Sequence, residues 1–377
     1  MTLAPPENKG MTVLDRNAFE TTLTTLAISV PSQSVHSVTK QNENLLLNQS
    51  RIPNVMPDTI IANNKLILLG LNIKQDDVKS LGYEIRTYQH TLSYDYWTTE
   101  QIISAVIPSD DETPSSFTMT GHIAHINLKD ENLPFKHFIA QVILDKNKKI
   151  TSVVNKTNSI DNTYRNFQME ILAGNNNMIV DLKENECRFR FDFSKVYWNS
   201  RLQAEHRRLV GVFKKGDFIC DVMAGVGPFS IPAAKKGAIV YANDLNPESY
   251  HWLCENKKRN KISDDQLKCY NMDGRAFIKQ AVKEATFDHF VMNLPATAIE
   301  FLDAFVGLYS EPTRLPMIHC HCFTRDDTAD VLKRVSEILN TSIDALSVDL
   351  HWVRTVAPKK DMYCLSFQLP PEIAYSK

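Results

Sequence analysis

One stretch limits what this chain can fold into more than any other. The apolar run Phe218-Ile219-Cys220-Asp221-Val222-Met223 breaks at Ala224-Gly225-Val226-Gly227-Pro228 and gives way to a helix-like segment from Phe229. A short buried run, a tight glycine turn and a helix start form the strand–loop–helix junction at which parallel sheets bind ligands. Glycine is scarce elsewhere, 12 of 377 residues, yet five of the twelve fall between Gly211 and Gly237. Where glycine is rare, such a cluster marks backbone geometry that other residues adopt poorly.

The rhythm after Asp217 extends the junction into a fold. Strand-like runs at 218–222, 239–242, 267–270, 289–292 and 316–323 alternate with helix-like segments at 229–236, 247–260, 275–285 and 299–308. That alternation predicts a mostly parallel sheet, with 347–356 and 362–368 as two closing strands. Upstream, 122–128, 150–155, 168–172 and 187–193 read as strands with a helix at 136–145, an α+β region spanning 91–215. Residues 61–90 read as part of a small αβ unit. Residues 1–60, rich in Thr, Ser, Asn and Pro, read as an irregular extension. At roughly 150 residues per domain, the length fits two to three domains. The last boundary is expected near Lys215–Gly216.

Composition narrows the class. Apolar residues make up 43% and charged residues 23%, an ordinary globular balance. No apolar run approaches the length of a membrane helix. The N-terminus carries Glu7, Lys9, Asp15 and Arg16 where a secretory signal needs an apolar core. The net charge of −2 does not advertise a nucleic-acid partner. Locally, however, Lys183 to Lys215 holds nine Lys/Arg against four Asp/Glu, and Lys257-Lys258-Arg259-Asn260-Lys261 is a second basic cluster. Seven cysteines form no metal spacing. In His319-Cys320-His321-Cys322, alternation puts the cysteines on one side of a strand and the histidines on the other, so a buried strand is expected and no metal.

The strand ends discriminate between cofactors. A dinucleotide fingerprint needs a third glycine, where this chain has Ser230, and Pro228 removes an amide from the helix start. Asp221, just before the loop, would oppose a pyrophosphate but suits the cationic amino-acid end of S-adenosylmethionine. The next strand ends at Asp244, nineteen residues after Gly225, placed for ribose hydroxyls. The third ends at Asp273-Gly274, suited to an adenine amino group, and the fourth at Asn293-Leu294-Pro295. One such carboxylate is usually just solvated; four consecutive polar strand ends favour a methyltransferase. Ala296 stands where an aromatic would stack an exocyclic-amine substrate. No nucleophilic cysteine lies by this loop for carbon-5 chemistry, since Cys254 and Cys269 fall in a helix and a strand. A ring nitrogen deprotonated by a base remains open.

These residues, Asp221 through Ser230 with Asp244-Leu245-Asn246-Pro247 and Met292-Asn293-Leu294-Pro295, resemble the archaeal and eukaryotic tRNA (guanine-N1)-methyltransferases acting on guanosine 37. Gly121-His122-Ile123-Ala124-His125, Arg165 with Glu170 to Gly174, Val196 to His206 and Thr355 to Pro358 match as well. The resemblance implies a class I (Rossmann-like) methyltransferase domain over 216–377, a middle α+β RNA-binding domain over 91–215 and a small N-terminal αβ domain that recognises the tRNA outer corner, all acting as a monomer. It implies that the anticodon stem-loop is clasped, and that the enzyme serves cytoplasm and nucleus with a mitochondrial matrix pool.

For the site, the resemblance implies Glu205 as general base, Arg165 as stabiliser of O6 and Asn293 as the group orienting the guanine. It implies His206, Asp244, Leu245, Asp273, Gly274 and Asn293 as cofactor contacts, to which the residue-level reading adds Asp221, Gly225 and Gly227. Taken alone, Glu205 reads as a surface ion pair with Arg201 (i−4) or Arg208 (i+3), Arg165 as a phosphate contact or a structural ion pair, and Asn293 as a helix cap. A flipped guanine needs unstacking, for which an aromatic such as Tyr197 or Trp198 is a candidate platform, while both read equally well as core. The competing reading is a non-catalytic RNA-binding protein with a relic methyltransferase fold, against which the intact trio Glu205, Arg165 and Asn293 argues.

Overall fold

The computed structural model describes residues 3–108, 114–160, 167–325, 328–341 and 347–376. The chain divides into two units, one of residues 1–117, 126–153 and 172–174, the other of 118–125, 154–171 and 175–377.

The N-terminal sixty residues are not irregular. They carry β1 (Thr21–Pro31), α1 (Val35–Gln41) and β2 (Val55–Pro57), followed by β3 (Asn64–Leu68), α2 (Gln75–Val78) and β4 (Glu84–Leu92). The four strands form an antiparallel sheet in the order β2-β3-β1-β4. Threonine hid β1, because it reads as polar while its branched Cβ suits a strand. Leu23, Thr25 and Ala27 alternate inward, and Thr25 Oγ1 donates to the Leu69 carbonyl at 2.5 Å. Ile28, Val30, Ile67, Leu69 and Val78 make the core of this sheet. Helix α3 (Thr99–Val106) starts on a capping box, in which Thr98 and Gln101 exchange hydrogen bonds.

Next come β5 (Thr118–Thr120), β6 (Ile123–Ile126), α4 (Lys136–Lys146), β7 (Ser152–Ile160) and β8 (Phe167–Gly174), with the strands in the order β5-β6-β7-β8. A hairpin follows, β9 (Ile179–Glu184) and β10 (Cys187–Asp192), then α5 (Gln203–Val212).

The chain does not divide at Lys215–Gly216. The hairpin and α5 share one core with the sheet that follows: Phe189, Phe191, Trp198, Leu209 and Phe213 pack with Ile219, Val240 and Leu253. That sheet has seven strands: β11 (Phe218–Asp221), β12 (Ile239–Asn243), β13 (Leu267–Tyr270), β14 (His289–Met292), β15 (Met317–Thr324), β16 (Val348–Ala357) and β17 (Lys360–Gln368). Between them lie α6 (Ser230–Lys235), α7 (Pro247–Arg259), α8 (Gly274–Glu284) and α9 (Thr328–Leu339), and α10 (Pro371–Ala374) follows the last strand. The helix expected over 299–308 is a 3-10 helix spanning Ala298–Phe305.

The strand order is β13-β12-β11-β14-β15-β17-β16. The first five run parallel, and β17 enters antiparallel between β15 and β16. The chain therefore steps outward from β11 to β13, then jumps back to β14 on the other side. The carboxyl ends of β11 and β14 flank that topological switch point, where open α/β sheets bind ligands. Among the described residues, no helix is long and apolar enough to cross a membrane.

Candidate active site

The first groups at the switch point hang from the carboxyl ends of parallel strands. Asp221 closes β11 and is fully buried. Ser230 Oγ, in the first turn of α6, donates to Asp221 Oδ2 at 2.5 Å, while Oδ1 is buried without a hydrogen-bond partner. Burial drives this carboxyl up to about 7; the Ser230 hydrogen bond opposes the rise and the charge of Asp244 adds to it.

The loop after Asp221 is shaped by its glycines. Gly225 and Gly227 both have positive φ, 57° and 97°. A Cβ on Gly225 would meet nothing within 4 Å, so this position leaves open space; one on Gly227 would strike Ile231 and Leu253 at 2.7 and 2.8 Å. The Gly225 amide donates to Asp244 Oδ2 at 2.8 Å, and the Asn246 amide donates to Asp244 Oδ1 at 2.9 Å. Burial nevertheless raises the pKa of Asp244, against these amide bonds. Beside it, Leu245 is 49% exposed, an apolar side chain left uncovered at a strand end.

Asparagines that the sequence reading passed over tie the strand ends together. Asn243 donates to the carbonyls of Val222 and Met272 at 3.1 and 3.0 Å and accepts from the Met272 amide at 2.9 Å. Asn271 donates to the carbonyls of Asp244 and Leu245 at 2.7 and 3.0 Å. Asp273, read as an adenine contact, serves as the N-cap of α8, its Oδ1 accepting from the amides of Arg275 and Ala276 at 3.0 and 3.1 Å. Gly274 admits no side chain easily: a Cβ there would come within 3.1–3.2 Å of the Phe301 ring and Val222.

Helix α5 brings the next two residues. Phe229, just past the glycine loop, packs edge-on against His206 at 4.8 Å and lies 5.6 Å from the His321 ring. His206 is buried, with Nδ1 at 2.6 Å from Glu184 Oε1. Glu205 is not a surface residue; it is 4% exposed. Its carboxylate accepts from Arg208 at 2.6 and 2.8 Å and from His321 Nε2 at 2.8 Å. Arg201, the alternative partner, instead donates to Thr118 Oγ1 at 2.9 Å. Burial alone would raise the Glu205 pKa, but Arg208 and His321 outweigh it and hold the carboxyl down to about 2. Glu205, His321 and Cys364 offer ligand atoms within 4.8 Å of one another. The Arg208 cation already on the carboxylate makes this an ion-pair cluster rather than a metal centre.

Asn293 stands at the end of β14, and His321 stands level with it on β15, because Met292 pairs with Cys320. Asn293 does not cap the following helix, whose N-cap is Thr297. Its Oδ1 is buried without a hydrogen-bond partner. Arg165 lies outside the described residues. Of the two candidate aromatics, Tyr197 is 48% exposed and Trp198 is 4% exposed, packed on Phe189 and Phe191.

The donor set fits S-adenosylmethionine. Two orphaned buried oxygens, Asp221 Oδ1 and Asn293 Oδ1, lie on either side of the switch point. A glycine loop with open space at Gly225, an anchored Asp244 and an uncovered Leu245 complete the cradle.

Comparison with known proteins identifies the family. Residues 180–350 match the TRM5/TYW2 methyltransferase domain, and residues 99–177 match the TYW2 N-terminal domain. The chain is similar to the tRNA (guanine(37)-N(1))-methyltransferase of Batrachochytrium dendrobatidis, at 42% identity over 99% of this chain and 92% of that protein. It is similar to the enzyme of the same name from Xenopus tropicalis, at 44% identity over 99% of this chain and 81% of that protein. Among solved structures it resembles wild-type Trm5b from Pyrococcus abyssi, with a TM-score of 0.65 and 26% identity over 91% of this chain and 99% of that one.

Proposed function

The chain belongs to the tRNA (guanine(37)-N(1))-methyltransferase family, and on that premise we propose that it transfers the methyl group of S-adenosylmethionine to N1 of guanosine 37, using Glu205 as base. The observation that carries this reading is a buried Glu205 carboxylate bonded to His321 on β15, the residue that stands level with the orphaned Asn293 Oδ1 at the end of the adjacent strand β14. When bound, the cofactor supplies an electrophilic methyl carbon on a sulfonium.

Neutral guanine carries a proton on N1, so the lone pair that attacks must first be uncovered. Glu205, as the base, would accept that proton. Asn293 Oδ1 is an acceptor suited to the N–H edge of guanine and would fix its orientation. Removing the proton pushes negative charge onto O6, where a cation such as Arg165 would stabilise it. For Glu205 to take the proton, one of its ion-pair partners must yield. Arg208, whose side chain is 26% exposed, is nearer to water than His321, which is fully buried.

For the cofactor, Asp221 suits the ammonium group, Asp244 the ribose hydroxyls and Leu245 the adenine face, with Gly225 and Gly227 letting the backbone approach. His206 contributes by wedging Phe229 against the loop.

For RNA, the surface around Tyr197 is the better candidate. Burial and the neighbouring Arg201 depress the pKa of Arg354, and Tyr197 lies close enough to oppose that effect. Such a gathering of cations beside an exposed ring suits phosphate and base together. Elsewhere in the basic segment and in the cluster, by contrast, Arg190, Lys195, Lys257, Lys258 and Arg259 all contact acidic side chains.

The test is incubation with labelled S-adenosylmethionine and two tRNA transcripts, with guanosine or adenosine at position 37. Label in the first alone is expected. Label in neither would favour the relic fold, and label in both would move the target elsewhere.

A further inference from the structure

Strand β15 is buried on both faces, which is unusual for a run containing two histidines. Cys320 and Cys322 face an apolar cluster with Phe290, Phe305 and Val335. The histidines face the other way, into a ladder of polar groups. His319 Nδ1 lies 2.8 Å from Ser366 Oγ, and its Nε2 lies 3.1 Å from His289 Nδ1. One step along the strand, His321 is fully buried, with Nε2 at 2.8 Å from Glu205 Oε1 and the Cys364 thiol beside the ring. Both ends of the Nε2–Oε1 bond are thus shielded from water, where a charge-assisted hydrogen bond is strongest and most directional.

We propose that His321 is a positioning residue for the methyl transfer: its Nε2–H fixes the Glu205 carboxylate at the height of Asn293 and keeps it in the form that accepts a proton. This rests on the reading of Glu205 as the base. Arg208 cannot do the same alone. It shares helix α5 with Glu205, three residues on, so its bond moves with the helix and does not tie the carboxylate to the sheet. His321 supplies that tie from β15, the neighbour of the strand that ends in Asn293. His351, from β16, reaches Glu205 Oε2 only at 3.8 Å. The groups facing the pair from every packed element are therefore Arg208, Cys364, His351 and, more distantly, Asp221 and His319. Among the described residues, none of these supplies a second short bond to Glu205 from the sheet.

The chemistry of the side chains gives a clean test, because the amide nitrogen of Gln can stand where Nε2 stands and that of Asn cannot reach it. His321→Gln is expected to keep single-turnover methylation within about fivefold of wild type. His321→Asn is expected to lose about tenfold or more in kcat, with KM for S-adenosylmethionine within about twofold. A lost hydrogen bond to a charged group is worth about one to two pH units in its titration. The acid limb of the rate–pH profile should accordingly move up by about that much in His321→Asn and little in His321→Gln. Equal rates and superimposed pH profiles for the two amides would overturn the proposal. Both replacements are polar and smaller than or equal to histidine in reach, and a shared loss of the thermal transition would equally refute a role confined to Glu205. Glu205→Gln, measured alongside, separates the two claims. A wild-type single-turnover rate in that variant removes the base itself, whereas an inactive Glu205→Gln with indistinguishable 321 variants removes only His321.

Discussion

The backbone amide of Gly225 donates to the carboxylate of Asp244 at 2.8 Å, across nineteen residues of sequence. One bond thereby fixes the glycine loop of β11 to the acid that ends the β12 segment, so the loop shape and the proposed ribose site are set together. Asp244→Ala removes this anchor and the Asn246 amide bond with it. Affinity for S-adenosylmethionine should fall by about tenfold or more by calorimetry, since one charged hydrogen bond is worth roughly 1.5–3 kcal/mol. Unchanged affinity would place the ribose elsewhere.

Glu205→Gln keeps the size of the side chain and a hydrogen-bonding partner for His321 but cannot take up a proton. Single-turnover methylation of a guanosine-37 transcript should slow by about 10²-fold or more, the scale of general base catalysis. Affinity for the transcript should stay within about twofold. A variant as fast as wild type would exclude Glu205 from the chemistry.

Asp221 gives the site a pH dependence whose sign follows from burial. Its carboxyl is raised from 3.8 to about 7, so between those values the folded chain holds a proton that the unfolded chain has lost. Stability must therefore fall as pH rises through that window and level off above it. An ammonium ligand reverses the preference, since it favours the ionised carboxylate. Binding of S-adenosylmethionine should thus tighten from pH 6 to pH 8, the range around that titration. Asp221→Asn should flatten both trends, in thermal melts and in calorimetry across pH. A variant that retains the binding slope would assign it to another group.

The two glycines of the loop should respond unequally to alanine. Gly225→Ala meets open space and carries only the left-handed backbone penalty, about 1–2 kcal/mol. Gly227→Ala carries the same kind of penalty at φ 97° and also drives a methyl into Ile231 and Leu253, for a further 1–3 kcal/mol or so. Denaturant titration should rank Gly227→Ala as the less stable; the reverse order would contradict the loop geometry.

Much of this site was readable because its chemistry sits at strand ends, where turn residues and carboxylates interrupt apolar runs. Strands Leu267–Tyr270 and His289–Met292 fall where the pattern predicts. What escaped has physical causes. Strand β1 was masked by threonines, whose polarity conceals a strand former. Asn243 and Asn271 gave no signal, because an asparagine that bonds backbone carbonyls on other strands looks in sequence like one that caps a turn. Glu205 looked exposed because its helical neighbours are arginines; only tertiary packing shows His321 covering it from β15, 116 residues later. Helix α9, whose buried face is only Val331, Val335 and Leu339, was missed as well.

Adjacent aromatics supply the last prediction. Tyr197 and Trp198 are neighbours in sequence, yet one faces solvent and the other the core. Trp198 packs on Phe189 and Phe191 at 5.3 and 5.0 Å between ring centres, so Trp198→Ala empties a large cavity and should cost roughly 3–5 kcal/mol of stability. Tyr197→Ala removes an exposed ring and should change stability by no more than about 0.5 kcal/mol. If the tyrosine stacks the flipped guanine or a neighbouring base, its loss should lower kcat/KM for tRNA by about tenfold, within the 1–3 kcal/mol that stacking contributes. Melting curves and methylation kinetics on both variants separate the two roles. A Tyr197→Ala enzyme with unaltered kcat/KM for tRNA would leave the base to stack on another surface, and the exposed indole of Trp352 would then be the first to substitute.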